Sequence, residues 1–355
     1  MMHVTSPAGV PSAERSVRTE PSPPPHLQLI EMGAAIWKAR AIYAAAALGL
    51  ADLLAPGPRS AKELAESTRT HEPSLYRLLR ALAGCGVFRE VEPHRFGLTE
   101  LGSALKTGAP GAARATLLTI AGDWQWQAWQ HFVHTLRTGE PGLRKAFDTE
   151  LFPFLAANPQ IGATFDEAMV GMYGGLGPTL LDAYDFSGIR KVIDIGGGTG
   201  RLIAALLESH HNLVGAVFEI PQAAAEARRF LSDASLDSRC EVIEGDFFDS
   251  IPTGYDAYIL AHVLHDWDDV RATSILRNCR RSVPSGGRLL IVEALLPDND
   301  APHHSKMIDL LMMTVTGGAE RSAANFSKLL AATDFEVARV LATPTHQSII
   351  EAVPM

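Results

Sequence analysis

Apolar residues along this chain follow two different periods, and the change comes at about Ile189. Before it they recur at helical spacing, over residues 27–54 and again over residues 112–183. After it, short apolar runs of strand length alternate with helical stretches; these runs are residues 191–195, 213–218, 240–244, 257–260 and 288–293. Such alternation predicts an α/β fold in which a parallel sheet carries helices on both faces.

Two further apolar runs, residues 335–341 and 347–353, close the chain and are joined by a short link that contains proline. A parallel crossover needs about a dozen residues or more, so a link this short suits antiparallel neighbours. We predict that these runs form an antiparallel hairpin at the edge of the sheet, within a domain that spans residues 188–355.

The segment from Ser60 to Lys106 predicts the order helix, helix, hairpin, which is that of a winged helix-turn-helix. Ser60 and Glu63 fit a capping box at the start of the first helix. A DNA reader needs a clear excess of cationic side chains, whereas this segment carries seven Lys and Arg against six Asp and Glu. The balance favours a structural role, and a ligand-responsive DNA-binding regulator remains the alternative.

Composition narrows the class of protein. A chain of 355 residues is longer than one hydrophobic core usually serves, which predicts two domains. Its 46% hydrophobic and 20% charged residues exclude a mainly disordered or fibrous chain. The formal net charge is −9, and residues 188–355 contribute most of it, with 15 Lys and Arg against 22 Asp and Glu. Nucleic acid is therefore not an expected partner.

The ends and the cysteines point to an ordinary intracellular protein. Residues 1–25 are rich in proline and small polar residues, and we expect a disordered or extended tail. The start lacks the charged and apolar regions of a signal peptide, and the longest apolar run, residues 41–51, is too short to span a bilayer. The three cysteines lie far apart without a CxxC motif, which argues against disulfides. We expect a cytoplasmic protein with no membrane partner.

A glycine cluster directly after the first strand is the most informative motif. Its pattern is GxGxG (Gly196, Gly198 and Gly200), because the sixth position of a dinucleotide-type GxGxxG would be Arg201. The acid Asp194, two residues before the cluster, would repel a pyrophosphate at the helix N-terminus but suits a ligand with an ammonium group. The glycines allow a bulky ligand to approach the backbone with no Cβ in the way.

Two more acids follow at the ends of the next two strands. Glu219 closes the second strand, where a carboxylate can accept both hydroxyls of a ribose. Asp246 follows the third strand, where it could accept an adenine amino proton while Phe247 covers the ring. An adenosine with an amino-acid tail and no phosphate matches all three acids, and this ligand is S-adenosylmethionine.

A histidine after the fourth strand is a candidate base. Ligands bind at the carboxyl ends of parallel strands, so His265 is well placed to act. Glu293 ends the fifth strand and Glu320 follows a pair of glycines, and a carboxylate bonded to one imidazole nitrogen strengthens the other as a base. His262, His265 and Asp266 could instead be metal ligands, although no third His or Cys completes the set. We interpret His262 as structural.

Together these motifs resemble one family. Five of them occur in its order and spacing: residues 194–200, 218–221, 244–248, 265–268 and 317–321. The chain resembles the S-adenosylmethionine-dependent small-molecule O-methyltransferases of the plant caffeate and flavonoid type and their actinobacterial antibiotic-tailoring relatives. The resemblance covers nearly everything after the proline-rich tail. It implies a Rossmann-like class I methyltransferase sheet over residues 188–355 and a helical, winged-helix-like dimerisation domain over residues 26–187, hence a homodimer.

The resemblance also implies roles for single residues. His265 would be the general base with Glu293 and Glu320 beside it, and Asp266 would hold His265 or the substrate hydroxyl. No metal would be needed. The residues implied to contact the cofactor are Gly196, Glu219, Asp246 and Phe247, and those implied to line the acceptor pocket are Phe165, Met169 and Leu311.

Two departures from the family pattern matter. Plant members carry Lys where this chain has Ala261, so one cofactor contact is missing or replaced, and Glu219 stands in for the usual Asp. The expected reaction is methyl transfer to a phenolic or enolic hydroxyl of a small aromatic or polyketide-type metabolite. Some antibiotic-pathway relatives have lost the base and perform decarboxylation or hydroxylation on the same scaffold. The presence of His265 argues against that alternative.

Overall fold

The computed structural model describes residues 23–355 of the chain. The proline-rich tail expected over residues 1–25 lies outside the described residues up to position 22, and the first helix begins at Pro25. A mostly helical N-terminal part precedes an α/β part. Within residues 23–355 no helix is both long and apolar enough to cross a membrane.

The first third of the chain contains the expected order of helix, helix and hairpin. Its elements are α1 (Pro25–Ala47), α2 (Leu50–Leu54), β1 (Arg59–Ser60), α3 (Ala61–Thr68), α4 (Glu72–Gly84), β2 (Phe88–Glu92), β3 (Arg95–Leu98) and α5 (Glu100–Ser103). The single helix expected over residues 27–54 is divided, because Gly49 adopts a left-handed φ of 63°. The capping box is confirmed: the Ser60 amide donates to the Glu63 carboxylate, and the Glu63 amide donates to the Ser60 hydroxyl.

Seven helices then lead to the sheet. They are α6 (Ala113–Ile120), α7 (Asp123–Gln130), α8 (Phe132–Thr138), α9 (Gly142–Phe147), α10 (Leu151–Ala157), α11 (Pro159–Tyr173) and α12 (Leu176–Ala183). Although the sequence placed the start of the second domain at residue 188, Leu176 and Leu180 of α12 already pack in the core of the sheet. Helix α12 therefore joins the helical part to the α/β part.

A seven-stranded sheet forms the α/β part. Its strands are β4 (Lys191–Ile195), β5 (Val214–Glu219), β6 (Cys240–Glu244), β7 (Ala257–Ala261), β8 (Arg288–Ala294), β9 (Phe335–Ala342) and β10 (Gln347–Pro354). Their order is β6-β5-β4-β7-β8-β10-β9, with the first five strands parallel. Strand β10 pairs antiparallel with both β8 and β9, so the predicted edge hairpin is confirmed.

Helices cover both faces of this sheet because successive side chains of each strand point to opposite faces, and both faces are apolar. On β4, Ile193 and Ile195 face one core and Val192 faces the other. The covering helices are α13 (Arg201–Ser209), α14 (Pro221–Asp233), α15 (Asp269–Ser282), α16 (His304–Val315) and α17 (Ala323–Ala331). The expected α/β class is confirmed. Strands β4 and β7 lie side by side at the centre, and their carboxyl ends meet the segments that carry the candidate chemistry.

Candidate active site

The glycine loop between β4 and α13 has a backbone that only glycine adopts without strain. Gly196, Gly198 and Gly200 all have left-handed φ angles, of 69°, 54° and 79°. A Cβ on Gly196 would lie 2.9 Å from the Val263 side chain, so this position also leaves no room for a larger residue. A Cβ on Gly198, by contrast, would meet no atom within 4 Å, so the loop has free space at that position.

Asp194 is a fully buried acid. Its side chain lies at the end of β4 beneath the glycine loop, where a Cβ on Gly197 would approach its Oδ2 to 2.7 Å. Within the described part of the chain, its buried Oδ1 has no hydrogen-bond partner. Burial, with the Glu219 charge nearby, raises the pKa of Asp194 to about 7. A cationic ligand would satisfy this oxygen and favour the ionised carboxylate.

Glu219 ties the end of β5 to the glycine loop. One carboxylate oxygen accepts the Gly198 amide at 3.1 Å and the other accepts the Ile220 amide at 2.8 Å. Burial raises the pKa of Glu219, and these amides oppose the shift. The structure therefore brings the predicted acid beside the predicted loop.

Asp246 and Phe247 follow β6 on the same side of the loop. Asp246 accepts the Phe248 amide at 2.7 Å, and a Cβ on Gly196 would lie 3.7 Å from the Phe247 ring. Asn278 of α15 donates to the carbonyls of Phe247 and Phe248 at 2.8 and 2.9 Å. Sequence reasoning missed Asn278, since nothing near it in the sequence links it to the loop.

His265 lies on a short 3₁₀ turn (Leu264–Asp266) after β7, and buried carboxylates surround it. Its Nδ1 is 2.8 Å from the Glu320 carboxylate, while Glu293 accepts the His265 amide at 3.3 Å and has its second oxygen 3.8 Å from Nδ1. Asp266 lies 3.9 Å from Nε2. The Glu320 contact keeps a proton on Nδ1, so Nε2 is the acceptor nitrogen whenever the ring is neutral.

The carboxylates make this imidazole strongly basic. Burial alone would lower the pKa of His265, but Glu293, Asp266 and Glu320 outweigh burial and raise it to about 10. Burial raises the pKa of Glu293 to about 7 and that of Asp266 to about 6, although the His265 charge opposes both shifts.

His262 has an unusual place in the same cluster. Its backbone is left-handed, with φ 54°, and its ring packs against Tyr173 with centroids 4.0 Å apart and the two planes tilted by 31°. Burial lowers the pKa of His262 to about 3, so the ring is neutral. The structure does not bring together all of the alternative metal ligands expected from the sequence. Among the described residues, His262, His265 and Glu293 have ligand atoms within 4.8 Å of one another, and Asp266 is not part of this group.

The expected acceptor-pocket residues come together in part. Phe165 of α11 and Leu311 of α16 pack against one apolar cluster, which includes Trp124 and Phe154. Met169 lies one turn after Phe165 on α11 and is half-buried. Tyr173, at the end of the same helix, was not identified from the sequence; its pKa is raised by burial and then by Asp266, Glu293 and Glu320.

The seven-stranded sheet with its antiparallel edge and the glycine loop after β4 have the architecture of a class I methyltransferase. Comparison with known sequences agrees with this class. The sequence model of the O-methyltransferase domain matches residues 129–336, and that of the O-methyltransferase dimerisation domain matches residues 30–108. The chain belongs to the O-methyltransferase family, and its cofactor is S-adenosylmethionine.

Relatives match over nearly the whole chain. The phenazine O-methyltransferase PhzM of Lysobacter antibioticus is 42% identical, over 92% of this chain and 96% of its own. The crystal structure of LaPhzM superposes with a TM-score of 0.90 at 42% identity, over 94% of this chain and all of that one. NcsB1 from neocarzinostatin biosynthesis, solved with S-adenosylmethionine and 2-hydroxy-5-methyl naphthoic acid, has a TM-score of 0.80 at 34% identity, covering 90% and 96%.

One relative carries a different activity in its name. The aclacinomycin 10-hydroxylase RdmB of Streptomyces purpurascens is 35% identical, over 79% of this chain and 77% of its own.

Proposed function

We propose that this enzyme methylates a phenolic or enolic hydroxyl of a small aromatic or polyketide-type secondary metabolite, with His265 as the general base. The observation that carries the proposal is the 2.8 Å contact between His265 Nδ1 and Glu320, which leaves Nε2 to accept a proton. The names of the relatives, which act on phenazine and naphthoate compounds, support the acceptor class.

The residues present fit the cofactor. Asp194, with its unpaired buried oxygen, would meet the ammonium group, and Gly198 leaves free the space that a Cβ would fill. Glu219 would accept the ribose hydroxyls, while Asp246 and Phe247 would hold the adenine. The bound cofactor supplies an electrophilic methyl group on a cationic sulfur.

His265 and its neighbours carry out the proton transfer. Nε2 takes the proton of the acceptor hydroxyl, and Glu320, Glu293 and Asp266 stabilise the imidazolium that forms. Phe165, Met169 and Leu311 would hold the acceptor ring, and this fixed geometry contributes much of the acceleration. We propose that no metal takes part, since the imidazole itself accepts the proton.

Replacement of the base tests the proposal. We expect His265→Ala to lose methyl transfer to a panel of hydroxylated phenazines and naphthoates, followed by mass spectrometry, while calorimetry still shows cofactor binding. His134→Gln is a matched control, because His134 forms a similar 2.7 Å contact with Glu140 in a partly exposed place. Full activity in the His265 variant would remove this residue from the mechanism.

A hydroxylation or decarboxylation is the second candidate reaction, and it is supported by the similarity to RdmB, which is named a hydroxylase. Release of S-adenosylhomocysteine in step with acceptor conversion supports methylation. Conversion of the acceptor without that release supports the second candidate. The family matches extend over both parts of the chain, which favours an enzyme over a DNA-binding regulator.

We also propose that the protein is a homodimer joined through α1. This helix leaves Leu29, Met32 and Trp37 exposed, with Trp37 75% accessible, and it lies largely in the dimerisation-domain match. Apolar side chains this prominent on a helix mark an interface with a partner. Trp37→Glu should shift the sedimentation coefficient of the protein from dimer to monomer, and an unchanged dimer would place the interface elsewhere.

A further inference from the structure

Arg321 is a buried cation whose hydrogen bonds converge on the segment that carries the base. Its side chain is 3% exposed. One guanidinium nitrogen donates to the Leu264 carbonyl at 2.8 Å and another donates to the Trp267 carbonyl at 2.7 Å. The third, Nε, donates to the Asp269 carboxylate at 2.9 Å. Arg321 therefore holds the main chain just before and shortly after His265.

The residues before Arg321 hold the same turn by other contacts. The Ala319 amide donates to the His265 carbonyl at 2.9 Å, and the Glu320 carboxylate contacts the His265 ring. Gly318 lies so close that a Cβ there would be 2.0 Å from the His265 carbonyl oxygen. Residues 318–321 thus fix the ring, the carbonyl and the flanking backbone of one histidine.

This segment is itself anchored on two sides. The Glu320 amide donates to Asp309 of α16 at 2.9 Å, and the Leu296 amide, just after β8, donates to the Arg321 carbonyl at 3.0 Å. These two hydrogen bonds hold the main chain of residues 320–321, so the position from which the Arg321 side chain extends is fixed. The planar guanidinium of Arg can donate to several acceptors at once in a fixed geometry. The ammonium group of Lys cannot reproduce that geometry.

We propose that Arg321 is a positioning residue for methyl transfer: it fixes the turn of His265 so that Nε2 faces the acceptor hydroxyl. The idea rests on the proposed role of His265 as base. A catalytic group needs to be held within about 0.5 Å of its productive position, and a displacement of about 1 Å can cost on the order of 100-fold in rate.

The test compares Arg321→Lys and Arg321→Met with Arg280→Met as a matched control. Arg280 also donates to two main-chain carbonyls, of Asp334 and Met355, but these lie at the far edge of the sheet. We expect both Arg321 variants to lose kcat, by on the order of 100-fold for the Met variant. The dissociation constant of S-adenosylmethionine should stay within about twofold, because the guanidinium touches no predicted cofactor contact. The Lys variant should retain more activity than the Met variant.

Two further readouts separate positioning from a general loss of structure. Guanidinium ion at millimolar concentration should restore part of the kcat of Arg321→Ala, and should do nothing for Arg280→Met. Nuclear magnetic resonance of the labelled His265 imidazole, which needs no activity, should show a lower pKa in Arg321→Lys, since a displaced ring loses its Glu320 contact.

The outcomes are distinct. Equal losses of kcat in the Arg321 and Arg280 variants, or a His265 titration unchanged in Arg321→Lys, would overturn the positioning role. If the unaltered enzyme methylates no acceptor while the His265 titration still responds to Arg321, the proposed function fails and the structural link between the two residues stands.

Discussion

The buried carboxyl of Asp194 predicts that cofactor affinity depends on pH in a defined direction. Without a ligand the pKa of this group is about 7, raised by burial and by Glu219. A cationic ligand binds the ionised form, so protonation competes with binding and the affinity falls as pH falls. For a pKa of 7, the dissociation constant should rise roughly 90-fold from pH 8 to pH 5, and about half a proton should be released on binding at pH 7.

Asp194→Asn keeps the shape of the side chain and removes the charge. We expect the variant to bind more weakly at pH 8 and to lose the pH dependence that Asp194 contributes. Calorimetry with S-adenosylhomocysteine is the assay, because this product keeps the ammonium group and is not consumed. Asp52→Asn is a suitable control, since Asp52 binds Thr107 in the N-terminal part, away from the glycine loop. Parallel pH curves for the unaltered protein and Asp194→Asn would refute the reasoning.

The same group affects stability with the opposite trend. Its folded pKa lies above the unfolded value of 3.8, so the folded state binds the proton more tightly. The free energy of unfolding of the ligand-free protein should therefore fall as pH rises from about 4 to about 7, by roughly 3 kcal/mol from this group. The difference between the melting curves of the unaltered protein and Asp194→Asn isolates this contribution, and ligand should restore stability at the upper end.

Three predictions concern the base. Glu320→Gln removes a charge that raises the pKa of His265, so the acid limb of the kcat profile should move about one to two pH units lower, while kcat on the plateau falls because the base is weaker; an unmoved limb would contradict the Glu320 contact. Gly318→Ala should lower both kcat and the melting temperature, because its Cβ would meet the His265 carbonyl at 2.0 Å; a variant with normal kcat and melting temperature would contradict this. Finally, S-adenosylmethionine should lower the His265 pKa measured by magnetic resonance, and S-adenosylhomocysteine should lower it less; equal shifts would show that the sulfonium charge does not reach the ring.

Sequence patterns predicted well those features of the fold that depend on residues close together in the chain. Short apolar runs between helical stretches placed strands β4 to β8 to within about a residue of their bounds, and the capping box at Ser60 formed as predicted. The division of the first helix at Gly49 was missed, because apolar spacing continues through it and only the left-handed backbone reveals the break. The order of strands in the sheet follows from long-range packing, which periodicity does not encode.

The part of the candidate site that could be predicted consists of acids and glycines at or just after the ends of strands. Parallel strands bring their carboxyl ends together, so Asp194, Glu219 and Asp246 could be assigned to one edge of the sheet from spacing alone. Asn278 and Tyr173 lie on helices whose approach to this edge depends on tertiary packing, and their neighbours in the sequence carry no sign of it. A motif gives residues that are close in sequence, and the side chains that hold them in place come from elsewhere.

The charges of the site suggest how the base becomes available for its step. In the ligand-free protein His265 is surrounded by carboxylates, and its pKa of about 10 keeps the ring protonated at neutral pH. A protonated imidazole accepts no proton, so a second positive charge beside it is needed to bring the pKa down. As proposed above, the buried acid at Asp194 would hold the cationic cofactor in the neighbouring loop, and that cation would supply the charge. We infer that His265 becomes an effective base when the cofactor is bound, and that loss of the positive charge on sulfur after methyl transfer returns the ring to its protonated form.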